Sequence, residues 1–195
     1  MRKSSFLLMA LLIAGAGVSR AAELPGGFVE GPNGRIVHSE SGAQFPEEVA
    51  GFHRTGFVSF DGQGEYVGVA YNRALDDGAP VSLRIAIVHI EGMTPKEHFL
   101  IAKPLVLKGL EDVSTVSEGE YARPGKGIDG YLGIFSGRDA GRDVGIGLWT
   151  FDRGYWDLRG RVEFPAGRQA ETQKAVDAFV DAFVAVGQPY RTPAE

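Results

Sequence analysis

The chain has 195 residues, with 20 Lys+Arg against 25 Asp+Glu, no Cys, 28 Gly and 10 Pro. That length suits one domain with a proper core and is cramped for two, and the 44% hydrophobic content is too high for a disordered chain. The acidic balance argues against binding nucleic acid through its phosphates, and zero Cys excludes a disulfide scaffold, a thiol nucleophile, a cysteine zinc site and a lipid-modified N-terminal Cys.

Residues 1–21 read as an export signal that is cleaved. Met1-Arg2-Lys3 is a basic start, Phe6 to Val18 is an apolar run of 13 residues, and Ser19 and Ala21 are the small residues a signal peptidase reads. The run falls short of the roughly 20 residues a helix needs to cross a bilayer. Cleavage removes Arg2, Lys3 and Arg20 and leaves 174 residues with 17 basic and 25 acidic side chains, a net charge of −8. No later segment reaches transmembrane length, so the expected location is the periplasm or the outside of the cell. The mature chain reads as one domain over 22–188 with a flexible tail over 189–195.

From Glu23 to Gly51 the chain reads as irregular, punctuated by Pro25-Gly26-Gly27 and Gly31-Pro32-Asn33-Gly34, with a short strand at Arg35 to Ser39. Phe52 to Phe60 and Glu65 to Tyr71 flank Asp61-Gly62-Gln63-Gly64 and predict a β-hairpin. Val81 to Ile90 is almost wholly apolar and predicts a central strand covered on both faces. Thr94-Pro95-Lys96-Glu97 predicts a capped helix start, and Pro104 predicts either a break near Lys103 or two short helical pieces. Val113 to Tyr121, Ile128 to Ser136, Val144 to Phe151 and Tyr155 to Phe164 predict four more strands. Gln169 to Val186 predicts the second main helix, with Ala175, Val176, Phe179, Val180, Phe183 and Val184 forming its buried stripe. The sum is an α+β domain with a mostly antiparallel sheet of about six to eight strands, because the links are too short for parallel crossovers.

Catalytic signatures are not found. Gly133-Ile134-Phe135-Ser136-Gly137 lacks the spacing of a nucleophile elbow. Gly62-Gln63-Gly64 and Gly145-Ile146-Gly147 open no helix and lack the Lys-Ser/Thr of a phosphate loop, so they read as turn or close-packing glycines. His38, His53, His89 and His98 show no i, i+4 pair, and no metal site or cofactor is predicted. His89 and His98 flank the start of the first helix and are the residues a hydrolase would use.

The most informative surface is the polar row of the last strand. Trp156, Leu158, Val162 and Phe164 alternate with Asp157, Arg159, Arg161 and Glu163, with Tyr155 at the head of the polar set. Together with Arg84 on a neighbouring strand, Tyr155, Asp157, Arg159, Arg161 and Glu163 are the candidate site for an acidic partner or an anionic ligand.

The run Ser41-Gly42-Ala43-Gln44-Phe45-Pro46, then Val49-Ala50-Gly51-Phe52-His53-Arg54, then Glu65-Tyr66-Val67-Gly68-Val69-Ala70-Tyr71 is similar to a group of small exported bacterial proteins of unknown function. The layout, with an apolar terminal helix carrying Ala182-Phe183, resembles the PsbP-like fold. That resemblance implies a non-catalytic role, since proteins of that shape mostly bind or stabilise other proteins. The leading expectation is an exported binding or accessory protein acting on a protein of the cell envelope. The alternatives are a small-ligand or lipid binder holding its ligand between the sheet and the first helix, and a hydrolase using His89 or His98. Intact-mass analysis of the protein recovered from the exported fraction is expected to give a chain beginning near Ala22; a retained N-terminus would contradict the cleaved signal.

Overall fold

The computed structural model describes residues 24–123, 125 and 128–186. The export signal and the tail over 189–195 lie outside the described residues. Eleven strands and two α-helices follow in the order β1 (Phe28–Glu30), β2 (Ile36–His38), β3 (Gln44–Phe45), β4 (Glu48–Val49), β5 (Phe52–Ser59), β6 (Tyr66–Ala74), β7 (Pro80–His89), α1 (Pro95–Leu107), β8 (Glu111–Arg123), β9 (Ile128–Asp139), β10 (Arg142–Asp152), β11 (Trp156–Pro165) and α2 (Gln169–Val186). β1, β2 and β3 form a small sheet, and the rest form an eight-stranded sheet in the order β4-β5-β6-β7-β11-β10-β9-β8. Every pairing is antiparallel. The chain is a single α+β domain in which the last strand closes against β7, with α1 as the crossover between the two halves of the sheet.

Each long strand presents alternate residues to two faces. On one face Leu83, Ile85 and Ile87 of β7, Leu158 and Val162 of β11 and Trp149 of β10 are all buried. Val176, Phe179 and Phe183 of α2 pack there, with Phe179 edge-on to Phe52 and Tyr71. The small sheet covers the flank of the same face, where Phe28 meets Phe57, Phe45 meets Phe183 and His38 stands edge-on to Trp156. The far side of α2 is clasped from β8: Tyr121 donates to Asp177, and Arg123 donates to Asp177 and to both carboxylate oxygens of Asp181 at 2.6–3.2 Å. These acids hold Arg123 firmly charged, Asp181 contributing most.

The other face receives α1. Its capping box is present, with Thr94 and Glu97 exchanging hydrogen bonds as the sequence predicts. Phe99 inserts where β9 has no side chain: a Cβ on Gly133 would lie 2.5 Å from the Phe99 ring, so glycine is what admits the helix. Gly145 is a close-packing glycine in the same sense, its absent Cβ lying 2.2 Å from the Phe164 ring.

Three expectations are corrected. α1 runs unbroken through Pro104, because that residue is exposed and the carbonyl it leaves unpaired at Leu100 is on a helix face open to water. β7 is central but covered on one face only: Ser82 is half-buried and Arg84 is exposed, since α1 packs over β9 and β10 instead. The segment before Gly51 is more ordered than irregular, holding β1 to β4 as strands of two or three residues.

One buried histidine makes stability depend on pH. His38 is fully buried; its Nε2 lies 2.6 Å from the Gly64 carbonyl and its Nδ1 2.7 Å from the Ser41 hydroxyl. A carbonyl only accepts, so Nε2 carries the proton and Nδ1 accepts, which describes a neutral ring. Burial pushes the His38 pKa below its ordinary 6.5. The unfolded chain therefore binds a proton that the folded chain refuses, and stability falls as pH drops below 6.5. In urea unfolding between pH 7.5 and 5, His38→Gln is expected to flatten this decline relative to the native chain; an unchanged decline would place the acid sensitivity elsewhere.

Candidate functional site

α1 is 13 residues long, so it spans roughly 20 Å at about 1.5 Å per residue and covers only part of its face. Four attachments fix where it lies. Thr150 of β10 donates to the Pro95 carbonyl at 2.7 Å, Phe99 packs against Tyr131 and Phe135 of β9, Lys103 pairs with Glu118 of β8, and His98 Nδ1 lies 2.7 Å from Asp157 Oδ2 of β11. The helix is thereby held over β9, β10 and the first residues of β11. The same face over β5, β6, β7 and the rest of β11 stays open.

Two rows of residues cross that open half, fixed by strand register. One is Val58–Gly68–Ala86–Arg159 and the other Gly56–Ala70–Arg84–Arg161, each read from β5 through β6 and β7 to β11. The β5 and β6 positions are apolar or small, while β11 carries a guanidinium in both rows and β7 carries one, Arg84, in the second. Val106 of α1 stands at the rim, and these residues enclose a groove of about 280 Å³. At its upper end Phe60 stacks on Tyr66 with ring centroids 4.2 Å apart. Arg159 donates to the Tyr66 hydroxyl and lies over the Tyr66 ring.

The charge on this surface is not balanced. Arg84 is directly across from Arg161, a like-charge pairing that costs roughly 0.2–1 kcal/mol where nothing neutralises it. Arg161 has Glu163 at 2.9 Å and Arg159 has the neutral Tyr66. The Arg84 guanidinium has no hydrogen bond or ion pair with any described residue. Three cations share one carboxylate.

The predicted polar row therefore divides. Arg84, Arg159, Arg161 and Glu163 come together on the open face. Asp157 does not belong to it: it is 1% exposed and sealed against His98. The alternation places Asp157 on the polar side correctly, but at that end of the strand the polar side is under α1. Tyr155 is also displaced, since β11 begins at Trp156 and Tyr155 sits exposed in the turn, where its carbonyl accepts from the Ile90 amide. The gap expected beneath the first helix is likewise corrected: α1 is packed on Phe135, Ile146 and Leu148, and the cavity lies beside it.

Sequence reasoning missed Val58, Phe60, Tyr66 and Val106. The available signal was β6, where Gly68 and Ala70 alternate with Val67, Val69 and Tyr71. A strand that keeps its large residues for one face and its small ones for the other leaves a trough on the second.

The histidines do not assemble a reactive centre. His38 serves the small sheet, His53 is exposed beside Glu48, His89 packs on Trp156, and His98 is 3% exposed. Among the described residues no group of three His, Cys, Asp or Glu side chains gathers as metal ligands would. No described helix is long and apolar enough to cross a membrane.

No protein-family model matches the chain, and no curated protein matches it. Among solved structures it is similar to the Ran-binding protein Mog1p of Saccharomyces cerevisiae, at 13% identity over 72% of this chain and 95% of that one, with a TM-score of 0.40. It is also similar to CalU16 of Micromonospora echinospora. The solution structure gives 16% identity over 62% of this chain and 74% of that one at a TM-score of 0.29. The crystal structure gives 13% over 73% and 87% at 0.30. Likenesses at this level transfer no function.

The buried pair generates its own test. Removing one member of a buried polar pair leaves the other without its partner and costs ~1–3 kcal/mol. His98→Leu and Asp157→Leu are each expected to destabilise the protein by about that much in chemical denaturation, while the double variant costs clearly less than the two together. Additive losses would show that the contact does not couple α1 to β11.

Proposed function

We propose that this chain is an exported, non-catalytic binding or accessory protein of the bacterial cell envelope, and that the open half of its sheet is the binding surface. The observation that carries the reading is the cross-strand pairing of Arg84 with Arg161, beside Arg159, on a face with one carboxylate to share. In a mature chain with eight excess negative charges, a local surplus of cations over an apolar floor favours a partner that brings both an anion and an apolar body. The basic start, apolar run and small residues of 1–21 support export to the periplasm or beyond. The layout's resemblance to PsbP-like proteins favours binding over catalysis, as an analogy of shape. Burial of His98 against Asp157 keeps that ring from a solvent-borne substrate, which weakens the hydrolase alternative.

The test uses a photo-crosslinking residue in place of Phe60, which is 54% exposed at the groove, in the protein exported by its own host. A discrete added mass, whether protein or small molecule, is expected on illumination. Its yield is expected to drop roughly tenfold when Arg84→Glu and Arg161→Glu are introduced together. A yield indifferent to the charge reversal would refute the surface.

A further inference from the structure

We infer that the groove over β5, β6, β7 and β11 binds a single-chain amphiphile with a carboxylate head, a free fatty-acid-like molecule. The inference rests on the reading of this face as the binding surface and adds the identity of its occupant.

Three features select this chemistry. The first is polarity along the rows. Each begins at β5 with no polar side chain and ends at β11 with a guanidinium, so a ligand lying across the strands meets hydrocarbon first and positive charge last. Arg84, unpaired among the described residues, and Arg161, with one Glu163 contact at 2.9 Å, can present parallel N–H groups to a carboxylate. The apolar end is open to water as it stands: Val58 is 41% exposed and Phe60 54%.

The second feature is the wall. His98, Ile101 and Leu105 fall on one stripe of α1 by their i, i+3, i+7 spacing. Since His98 reaches Asp157 on β11, that stripe is turned toward the groove. Ile101 is 57% exposed and Leu105 65%, an apolar ledge continuing the rim formed by Val106. An alkyl chain covers such surface and a small polar anion does not.

The third feature separates an alkyl chain from a peptide. β6, β7 and β11 are interior strands, their backbone groups already committed to neighbours on both sides. A peptide pressed on this floor would bury its own N–H and C=O groups without partners, whereas a hydrocarbon chain has none to satisfy. The volume of about 280 Å³ falls just under the ~300–1,000 Å³ usual for small-molecule cavities, which suits a single chain.

The experiment titrates the full mature chain with octanoate, decanoate and dodecanoate below their micelle concentrations, following calorimetric heat and methyl NMR shifts. Decanol, decylammonium and an acidic peptide with interspersed leucines serve as comparisons. The expected result is saturable carboxylate binding, about fourfold tighter per added methylene until the groove is filled. Decanol should bind at least roughly tenfold more weakly, decylammonium more weakly still. Shifts should concentrate at Val58, Ala70, Ala86 and Val106. Arg84→Gln with Arg161→Gln should erase the preference for carboxylate over alcohol, and Ala70→Phe should block the chain. Should Ala70→Phe fail to fold, Val58→Asp at the exposed end is expected to weaken carboxylate and alcohol binding alike, because the alkyl chain would then have to desolvate a charge. Equal affinity for decanoate and decanol, or shifts spread over the whole surface, would overturn the inference. Peptide binding at these methyls without carboxylate binding would overturn it too, leaving the face as a binding surface. Silence of these methyls toward every probe, with no mass trapped at position 60, would overturn both.

Discussion

An eight-stranded sheet is too wide for two helices. At about 4.8 Å between strands it extends roughly 34 Å across, while a helix with its side chains covers about 10–12 Å. The described residues supply one helix for each face, and everything else follows from how the fold meets that shortfall. On the first face α2 takes the centre, the small sheet β1–β3 takes one flank, and Tyr121 and Arg123 draw the helix toward the other. On the second face the described residues supply α1 and nothing more. The uncovered half is a consequence of arithmetic, and its arginines and small residues are the side chains such a surface tolerates.

Where α1 comes to rest is therefore the decision that creates the site. A helix this short offers Phe99, Ala102 and part of Val106 and Leu107 to the core, which is a modest apolar stripe. The contacts that place it are polar and specific: Thr150 to Pro95, Lys103 to Glu118, and the sealed His98–Asp157 contact. A buried polar contact is weak evidence of net stability, because desolvation offsets much of its attraction. Its value here is positional, since sliding α1 toward β7 would leave the Asp157 carboxylate stranded in a dry interior.

Much of the architecture is legible in the sequence because its elements are long and strongly patterned. The alternation over Trp156–Pro165, the helical stripe over Gln169–Val186 and the Thr94–Glu97 cap each state their structure locally. Of the four short strands before Gly51 only β2, within the predicted Arg35–Ser39, is legible, because two or three residues cannot show a period. Of the candidate site, period two finds Arg159 and Arg161 and the polarity of Val81–Ile90 points to Arg84. It cannot tell that Asp157, on the same side of the same strand, lies under a helix 50 or more residues away in sequence order. Nor can it find Phe60 or Val106, which join the groove only through tertiary placement. The break expected at Pro104 fails because a proline on a solvent-facing turn costs a hydrogen bond that water replaces.

The ends of the large sheet matter as much as its middle. One border is β4, only two residues long. The other is β8, which is 13 residues long and exposed along nearly its whole length, but its ladder shifts register twice, between Glu111 and Ser114 and between Thr115 and Ser117. Asp112 adopts a left-handed backbone there, with Glu118 and Glu120 further along. Bulges and acidic side chains of this kind keep a border from accepting another strand in continuous register. The β8 border thus resists strand addition, in which a guest borrows the host's backbone, and recognition along it is left to side chains.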